Sequence, residues 1–308
     1  MTSTVFIDGG AGTTGLEIAD RLAGRSEFEL LVLDEPRRKD LAARREALNE
    51  ADFAILCLPD DAAREAVALI ENNGTRVIDA STAHRVAPGW TYGFPELVGH
   101  NVVADASRVS NPGCYPTGFL GLLAPLVRAG LLPADWSYSC NAVSGYSGGG
   151  KSLIKRFEDD ADIAWRGYAL GFGHKHVPEM QHLAGLAQPP IFSPAVIPAH
   201  RGMVVEVPLP LASMRGAGTP EAMREWLSAF YGASRVVRMG SAPVDGEILL
   251  RASAEPSDAM ELHVFASPDG SQARLVAVLD NLGKGASGAA VQSLNLMAGL
   301  DETAGLRL

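Results

Sequence analysis

Cys114 stands in the run Ser110-Asn111-Pro112-Gly113-Cys114-Tyr115-Pro116-Thr117, after a strand-like region and before a helix-like one. A thiol near a helix start has its thiolate stabilised by the N-terminal dipole. Pro112 and Gly113 hold the turn, and Asn111 offers hydrogen bonds. This displays a sulfur nucleophile, whose chemistry is acyl transfer through a thioester. Cys57, inside the apolar run Ile55 to Leu58, reads instead as a core residue, and so does Cys140. Three widely spaced cysteines imply no disulfide framework, and with it a reducing compartment.

The second chemical signal is Gly9-Gly10-Ala11-Gly12-Thr13-Thr14-Gly15, between a short β-branched and aromatic run and a helix-like stretch. It satisfies G-x-G-x-x-G from Gly10 and G-x-x-G-x-x-G from Gly9. The first glycine of such a motif allows a tight turn, the second lets backbone approach a pyrophosphate, and the last lets the helix pack on its strand. The helix N-terminus then faces the anion. Gly9, Gly10, Gly12 and Gly15 are therefore candidate dinucleotide contacts, with Thr13 and Thr14 as hydroxyl donors. Asp34, ending the second strand-like run, suits a ribose hydroxyl, while Arg37-Arg38-Lys39 suit a 2′-phosphate. These residues leave both NAD(H) and NADP(H) open.

The third signal is His174 and His176. On a strand the two would share a face; on a helix they would not. Histidine moves protons near neutral pH, as reduction of a thioester requires. A histidine pair also begins many zinc sites, but the cysteines supply no further ligands at suitable spacing, so no metal is expected.

The elements that must position these residues are those of a soluble two-domain protein. The chain has 308 residues, 47% apolar and 20% charged, and a formal charge of −10. That composition excludes disordered, collagen-like and coiled-coil classes. The charge repels a phosphate backbone, so no nucleic-acid partner is expected. The start, MTSTVFIDGG, does not read as a signal peptide, and no apolar stretch is long enough for a bilayer, so a cytoplasmic protein without membrane partners is expected.

Strand-like runs at Val5 to Ile7, Leu30 to Leu33, Phe53 to Leu58, Val77-Ile78 and Val102-Val103 alternate with helix-like stretches at Leu16 to Leu22 and Ala62 to Glu71. Continuous apolar strands with crossover helices describe a Rossmann-type parallel sheet. Beyond residue 113 the strand-like runs, Met203 to Leu209, Ile248 to Ala252, Met260 to Ala266 and Arg274 to Leu279, partly alternate apolar with polar residues. Helices are expected at Gly118 to Ala129, Pro220 to Tyr231 and Ala286 to Ala298. The fold class is α/β: a parallel-sheet nucleotide domain, 1–113, followed by an α+β catalytic and dimerisation domain, 114–284, with a largely antiparallel sheet. Gly145 to Lys151 is either a linker or part of a site.

The run around Cys114 resembles the active-site cysteine motif of the N-acetyl-gamma-glutamyl-phosphate reductases, a branch of the semialdehyde dehydrogenase superfamily acting in arginine biosynthesis. The likeness extends over most of the chain. Asp79-Ala80-Ser81-Thr82-Ala83-His84-Arg85 is similar to the family's Asp-x-Ser-x-Asp-Phe-Arg, with Ala83-His84 in place of Asp-Phe. Tyr92-Gly93-Phe94-Pro95-Glu96-Leu97, the glycine-rich segment from Ser144 to Gly150, and His174-Lys175-His176-Val177-Pro178-Glu179 each resemble a family motif. So does Asp280-Asn281-Leu282-Gly283-Lys284-Gly285-Ala286-Ser287-Gly288. Ser193-Pro194-Ala195-Val196 lacks the histidine of the family's Thr-Pro-His-Leu, whereas Arg201 and Gly202 are kept. The length is that of the family's shorter form.

The resemblance implies an NADPH-dependent reductase that turns N-acetyl-L-glutamyl 5-phosphate into the 5-semialdehyde and phosphate through a Cys114 thioester. It makes His176 the acid/base, with His174 and Glu179 orienting it or the substrate. It implies that Ser81, Lys284 and Gly285 join the cofactor site, and that the segment from 285 to 308 completes the nucleotide domain. A substrate carrying carboxylate and phosphate calls for Arg201 and Lys151, with Asn111 and Ser144 beside them; Arg85 and Arg108 read as solvated charges. A homo-oligomer, dimer or tetramer, is expected. The competing readings are another acyl-phosphate reductase, such as aspartate-semialdehyde dehydrogenase or aminoadipyl-phosphate reductase, a cysteine hydrolase or acyltransferase, and a nucleotide-sensing protein without catalysis.

Overall fold

The computed structural model describes residues 2–308 and separates into two units. One runs to Gly113 and resumes over Ala286–Leu306; the other comprises Cys114–Gly285 and Arg307–Leu308.

In the first unit the chain forms β1 (Ser3–Asp8), α1 (Thr13–Leu22), β2 (Phe28–Leu31), α2 (Leu41–Glu50), β3 (Phe53–Leu56), α3 (Asp60–Ala68) and β4 (Arg76–Asp79). Then follow β5 (Thr91–Tyr92), α4 (Pro95–Val98), α5 (His100–Ala104) and β6 (Arg108–Ser110). The sheet order is β2-β1-β3-β4-β6-β5, with every pairing parallel. Alternation along each strand feeds two cores. Val5, Phe53, Ile55 and Ile78 join Ile18 and Leu22 of α1 on one side. Phe6, Ala54, Leu56 and Val77 join Ala47 and Leu48 of α2 and Ala63 and Ala66 of α3 on the other. Burial of each valine, leucine, isoleucine or phenylalanine side chain among them contributes about 1.5–3 kcal/mol. Asp40 caps α2, accepting from the Ala43 N–H at 2.7 Å.

Val102-Val103, expected as a strand, lies in α5. Val103 is buried and Val102 is exposed. β-branched residues favour strands only as a weak prior, and here the tertiary setting overrides it.

The second unit contains α6 (Cys114–Arg128), β7 (Ser139–Gly145), α7 (Gly150–Asp159), β8 (Arg166–Gly167), α8 (Val177–Ala184), β9 (Ile191–Ile197), β10 (Met203–Leu209), α9 (Pro220–Phe230), β11 (Val237–Met239), β12 (Met260–Ala266) and β13 (Ala273–Leu279). Its sheet runs β11-β12-β13-β10-β7-β9-β8. The sheet is mixed rather than simply antiparallel, because β7 pairs with β9, and β11 with β12, in parallel. Each of those connections carries a helix or a long excursion, as a parallel crossover requires. Ile248 to Ala252, expected as a strand, is irregular.

Helix α6 is buried on nearly every side and lies close on the sheet; a Cβ at Gly118 would come within 2.7 Å of Val205 on β10. Pro125 inside α6 has no N–H to give Gly121. The Tyr231 hydroxyl donates to that carbonyl instead, at 2.8 Å. The last helix, α10 (Gly288–Met297), belongs to the first unit, and a π-helical turn over Gly283–Ser287 leads into it.

Candidate active site

Cys114 is the first residue of α6 and is half-buried. A helix of this length places its positive end at its first residue. Gly285 backs onto it: a Cβ there would lie 3.0 Å from the Cys114 Cβ. The other two thiols are core groups. Burial pushes Cys57 up to about 12, with Asp79 and Asp8 adding to the shift, and burial alone pushes Cys140 higher still.

His174 and His176 occupy neither strand nor helix but the turn that enters α8. The His176 backbone N–H donates to Nδ1 of His174 at 3.1 Å. The rings meet edge to face, with centroids 4.6 Å apart. Tyr115, the residue after the cysteine, packs against both, at 6.4 Å from His174 and 5.9 Å from His176. The first turn of α6 therefore carries the Cys114 thiol and, through Tyr115, packs on both histidines. Glu179 is buried in the first turn of α8.

Tyr115, Phe192 and Tyr168 complete this wall, and no pattern in the sequence singles out the last two. The Tyr115 hydroxyl donates to the Ala195 carbonyl at 3.0 Å. Phe192 packs against Tyr115 and His174, with centroids at 5.1 and 5.0 Å. Tyr168 meets His174 at 5.5 Å, and burial pushes the Tyr115 and Tyr168 phenols above their ordinary value. Tyr168 reaches this place because β8 pairs with β9, which carries Phe192 and Ala195.

The substrate candidates fall out differently. Ser144 is buried at the end of β7, its hydroxyl donating to the Gly145 carbonyl at 3.0 Å. Arg201 donates to Asp280 at 2.8 Å, and Asp280 also accepts from the Leu282 N–H at 2.9 Å. The cation expected to grip a carboxylate already grips a buried one. Asn281 bridges the same junction, accepting from the Gly202 N–H at 3.0 Å and donating to Ser147 at 2.9 Å. Lys151 lies exposed on the first turn of α7, apart from these contacts. Asn111 is buried in the first unit, its amide donating to the Ala286 carbonyl at 3.0 Å. Lys284 is buried within the π-helical turn.

In the first unit the glycine-rich turn follows β1. Gly9 has φ +83°, and a Cβ on it would lie 2.3 Å from the Cys57 carbonyl oxygen. A Cβ on Gly15 would lie 2.7 Å from the Gly10 Cα. Only glycine fits either place, so the backbone stays low and α1 opens with no side-chain cap on Gly12, its first N–H groups unshielded. Beneath the turn, Asp8 pairs with Arg44 at 3.0 Å; burial nonetheless pushes the Asp8 carboxyl above its ordinary value. The sheet changes direction between β1 and β3, and ligands of such sheets lie at the carboxyl ends of the strands beside that switch. The cradle fits a dinucleotide.

Arg37 and Arg38 sit in a 3₁₀ turn beyond β2. Arg37 pairs with Glu46 at 2.9 Å and Arg38 with Glu35, both at the surface. Ser81 follows β4 and is held by Asp79. Among the described residues, no group of three or more His, Cys, Asp and Glu could hold a metal ion, and no helix is long and apolar enough to cross a membrane.

Comparison with known proteins gives one family. The "semialdehyde dehydrogenase, NAD binding domain" model matches residues 4–105, and the "semialdehyde dehydrogenase, dimerisation domain" model matches 114–281. Proteins named N-acetyl-gamma-glutamyl-phosphate reductase from Trichormus variabilis and Rhizobium etli are 47% and 50% identical. The first alignment covers 98% of both chains, and the second covers 96% of this chain and 99% of the relative. The structure of aspartate semialdehyde dehydrogenase II from Vibrio cholerae superposes with a TM-score of 0.71, covering 97% of this chain and 99% of the other. At 16% identity that likeness speaks for the fold. A thiol at a helix start, a histidine turn seated on its neighbour and a dinucleotide cradle thus occur in a chain that belongs to the semialdehyde dehydrogenase family, among the N-acetyl-gamma-glutamyl-phosphate reductases.

Proposed function

We propose that this protein reduces N-acetyl-L-glutamyl 5-phosphate to N-acetyl-L-glutamate 5-semialdehyde, releasing phosphate, with NADPH as the hydride source. The observation that carries the reading is Cys114 at the start of α6 with His174 and His176 seated on Tyr115.

The Cys114 thiolate attacks the acyl carbon. A C–S bond forms, the C–O bond to phosphorus breaks and phosphate leaves with the bonding pair. When bound, the nicotinamide supplies hydride to the thioester carbon. His176 supplies a proton to the oxygen that gains charge and takes it back as the C–S bond breaks, returning the aldehyde and the thiolate. His174 and Glu179 orient His176. The N-terminus of α6 steadies the negative charge at sulfur in both resting and departing states.

The first unit holds the cofactor. Gly9, Gly10, Gly12 and Gly15 keep the turn low under the pyrophosphate, Thr13 and Thr14 add donors, and Ser81, Lys284 and Gly285 complete the site. Arg37 and Arg38 select the 2′-phosphate, each leaving a surface carboxylate to do so, an exchange of one exposed pair for a doubly charged partner. Asn111, Ser144, Lys151 and Arg201 serve the substrate, Arg201 as the cation that Asp280 aims. The protein works in the cytoplasm as a homo-oligomer built through the second unit, a dimer or a tetramer.

The test runs the reaction backwards. N-acetyl-glutamate semialdehyde, phosphate and NADP⁺ are mixed with enzyme, and nicotinamide reduction is followed by absorbance. Turnover that requires phosphate and vanishes in Cys114→Ser supports the reading. Turnover with aspartate semialdehyde alone keeps the mechanism and changes the substrate. No turnover from folded protein removes the reading.

A further inference from the structure

We propose that His84 is a positioning residue for the nicotinamide nucleotide, acting through the Asp79 carboxylate on the Ser81 hydroxyl. The inference rests on the cofactor reading above and adds to it a residue that the glycine turn does not contain.

Asp79 ends β4 and is wholly buried. A carboxylate taken out of water needs donors. It receives three: the Ser81 N–H at 2.9 Å, the Ser81 hydroxyl at 2.7 Å and Nδ1 of His84 at 2.6 Å. The hydroxyl and the imidazole share one carboxylate oxygen, Oδ2. A carboxylate only accepts, so the imidazole proton lies on Nδ1. The ring is held flat by stacking on Trp90, 4.1 Å away and tilted by 12°. His84 is thus fixed both in plane and in tautomer.

The consequence falls on Ser81. Its hydroxyl proton goes to Asp79, and one of its two lone pairs accepts from the Ala83 N–H at 3.1 Å. One lone pair remains. A loop so arranged presents an acceptor. It suits an amide N–H or a ribose hydroxyl and disfavours a phosphate oxygen. β4 lies two strands from β1, about 10 Å by the usual spacing, so this loop and the glycine turn stand along one edge of the sheet within the span of one dinucleotide.

Two substitutions separate the ring from its proton. His84→Phe keeps the stack and removes the donor; His84→Asn keeps a donor at the place of Nδ1 and removes the stack. NADP⁺ binding is read by calorimetric titration, and KM values are taken for NADPH and for the acyl phosphate. His84→Phe should weaken NADP⁺ binding and raise the NADPH KM about tenfold, the loss expected for one charge-assisted hydrogen bond. The acyl-phosphate KM and kcat should stay in place, and His84→Asn should bind NADP⁺ like the parent. In a Ser81→Ala background, His84→Phe should cost nothing further, because the residue it positions is gone. Unchanged NADP⁺ binding in His84→Phe overturns the proposal. So do additive losses in the double variant, and so does a parallel rise in both KM values with a lowered melting temperature. If the unsubstituted protein fails to bind NADP⁺ at all, the cofactor reading falls first and this inference with it.

Discussion

The backbone N–H of His176 ends on Nδ1 of His174, 3.1 Å away, so the conformation of one histidine sets the tautomer of the other. With Nδ1 accepting, the neutral His174 ring carries its proton on Nε2. The Nδ1 lone pair is spent, which supports the proposed division of roles, with His174 orienting and His176 moving the proton. His176→Ala should lower kcat by about 10²–10⁴, the usual range for a lost acid/base. His174→Asn, which keeps an acceptor near Nδ1, should lower it far less. Steady-state kinetics on folded variants decide, and the reverse order would exchange the two roles.

The three thiols should react in a fixed order. Cys114 is half-buried at a helix start, whereas burial pushes Cys57 up to about 12 and Cys140 beyond it. At pH 7 and substoichiometric iodoacetamide, mass mapping should find Cys114 carboxamidomethylated first, with activity lost in proportion. Equal labelling of Cys57 in folded protein would remove the nucleophile's special standing.

Arg37→Ala with Arg38→Ala should raise the NADPH KM about tenfold or more and leave the NADH KM in place, because only the 2′-phosphate loses partners. Both side chains sit on an exposed 3₁₀ turn, so the melting temperature should barely move. Equal losses with both nucleotides would assign the pair to the fold.

Acid should loosen the turn between β12 and β13. Asp269 accepts from the Ser267 and Ser271 hydroxyls and the Ser271 N–H, which lowers its carboxyl from 3.8 to about 2. A depressed folded value means that the unfolded chain takes up the proton first. The stabilisation is complete above pH 3.8 and is lost as the pH falls through about 2. Asp269→Asn should therefore flatten the denaturation midpoint across that window while leaving activity unchanged at pH 7. An unaltered pH slope would contradict the assignment.

Local chemistry was legible in the sequence; partnerships across the sheet were not. Met203 to Leu209 reads as a strand and is one to the residue, because its alternation matches burial on one face. Ile248 to Ala252 has the same apolar character but no strand beside it. Leu250 instead lies against Gly202, which would hold a Cβ 2.5 Å from its Cδ2. The placement of Cys114, Gly9 and Gly15 shows in contiguous residues, since a turn and the helix after it are local objects. Tyr168 shows nowhere in the sequence, and Asp280 shows only within a motif, without its partner. One is brought in by the β8–β9 pairing, and the other answers Arg201 across 79 positions. The histidine turn defeated a periodicity argument because it has no period: one ring accepts the other's backbone N–H.

The nucleotide unit is written in two instalments. Val291 and Leu294, near the end of the chain, share one hydrophobic cluster with Val5 and Ile18, near its beginning. During synthesis the first 113 residues emerge with that side of their sheet covered only in part, and the second unit is translated before α10 can complete it. A chain cut short before Gly288 keeps the Cys114 thiol and lacks the helix that completes the first core.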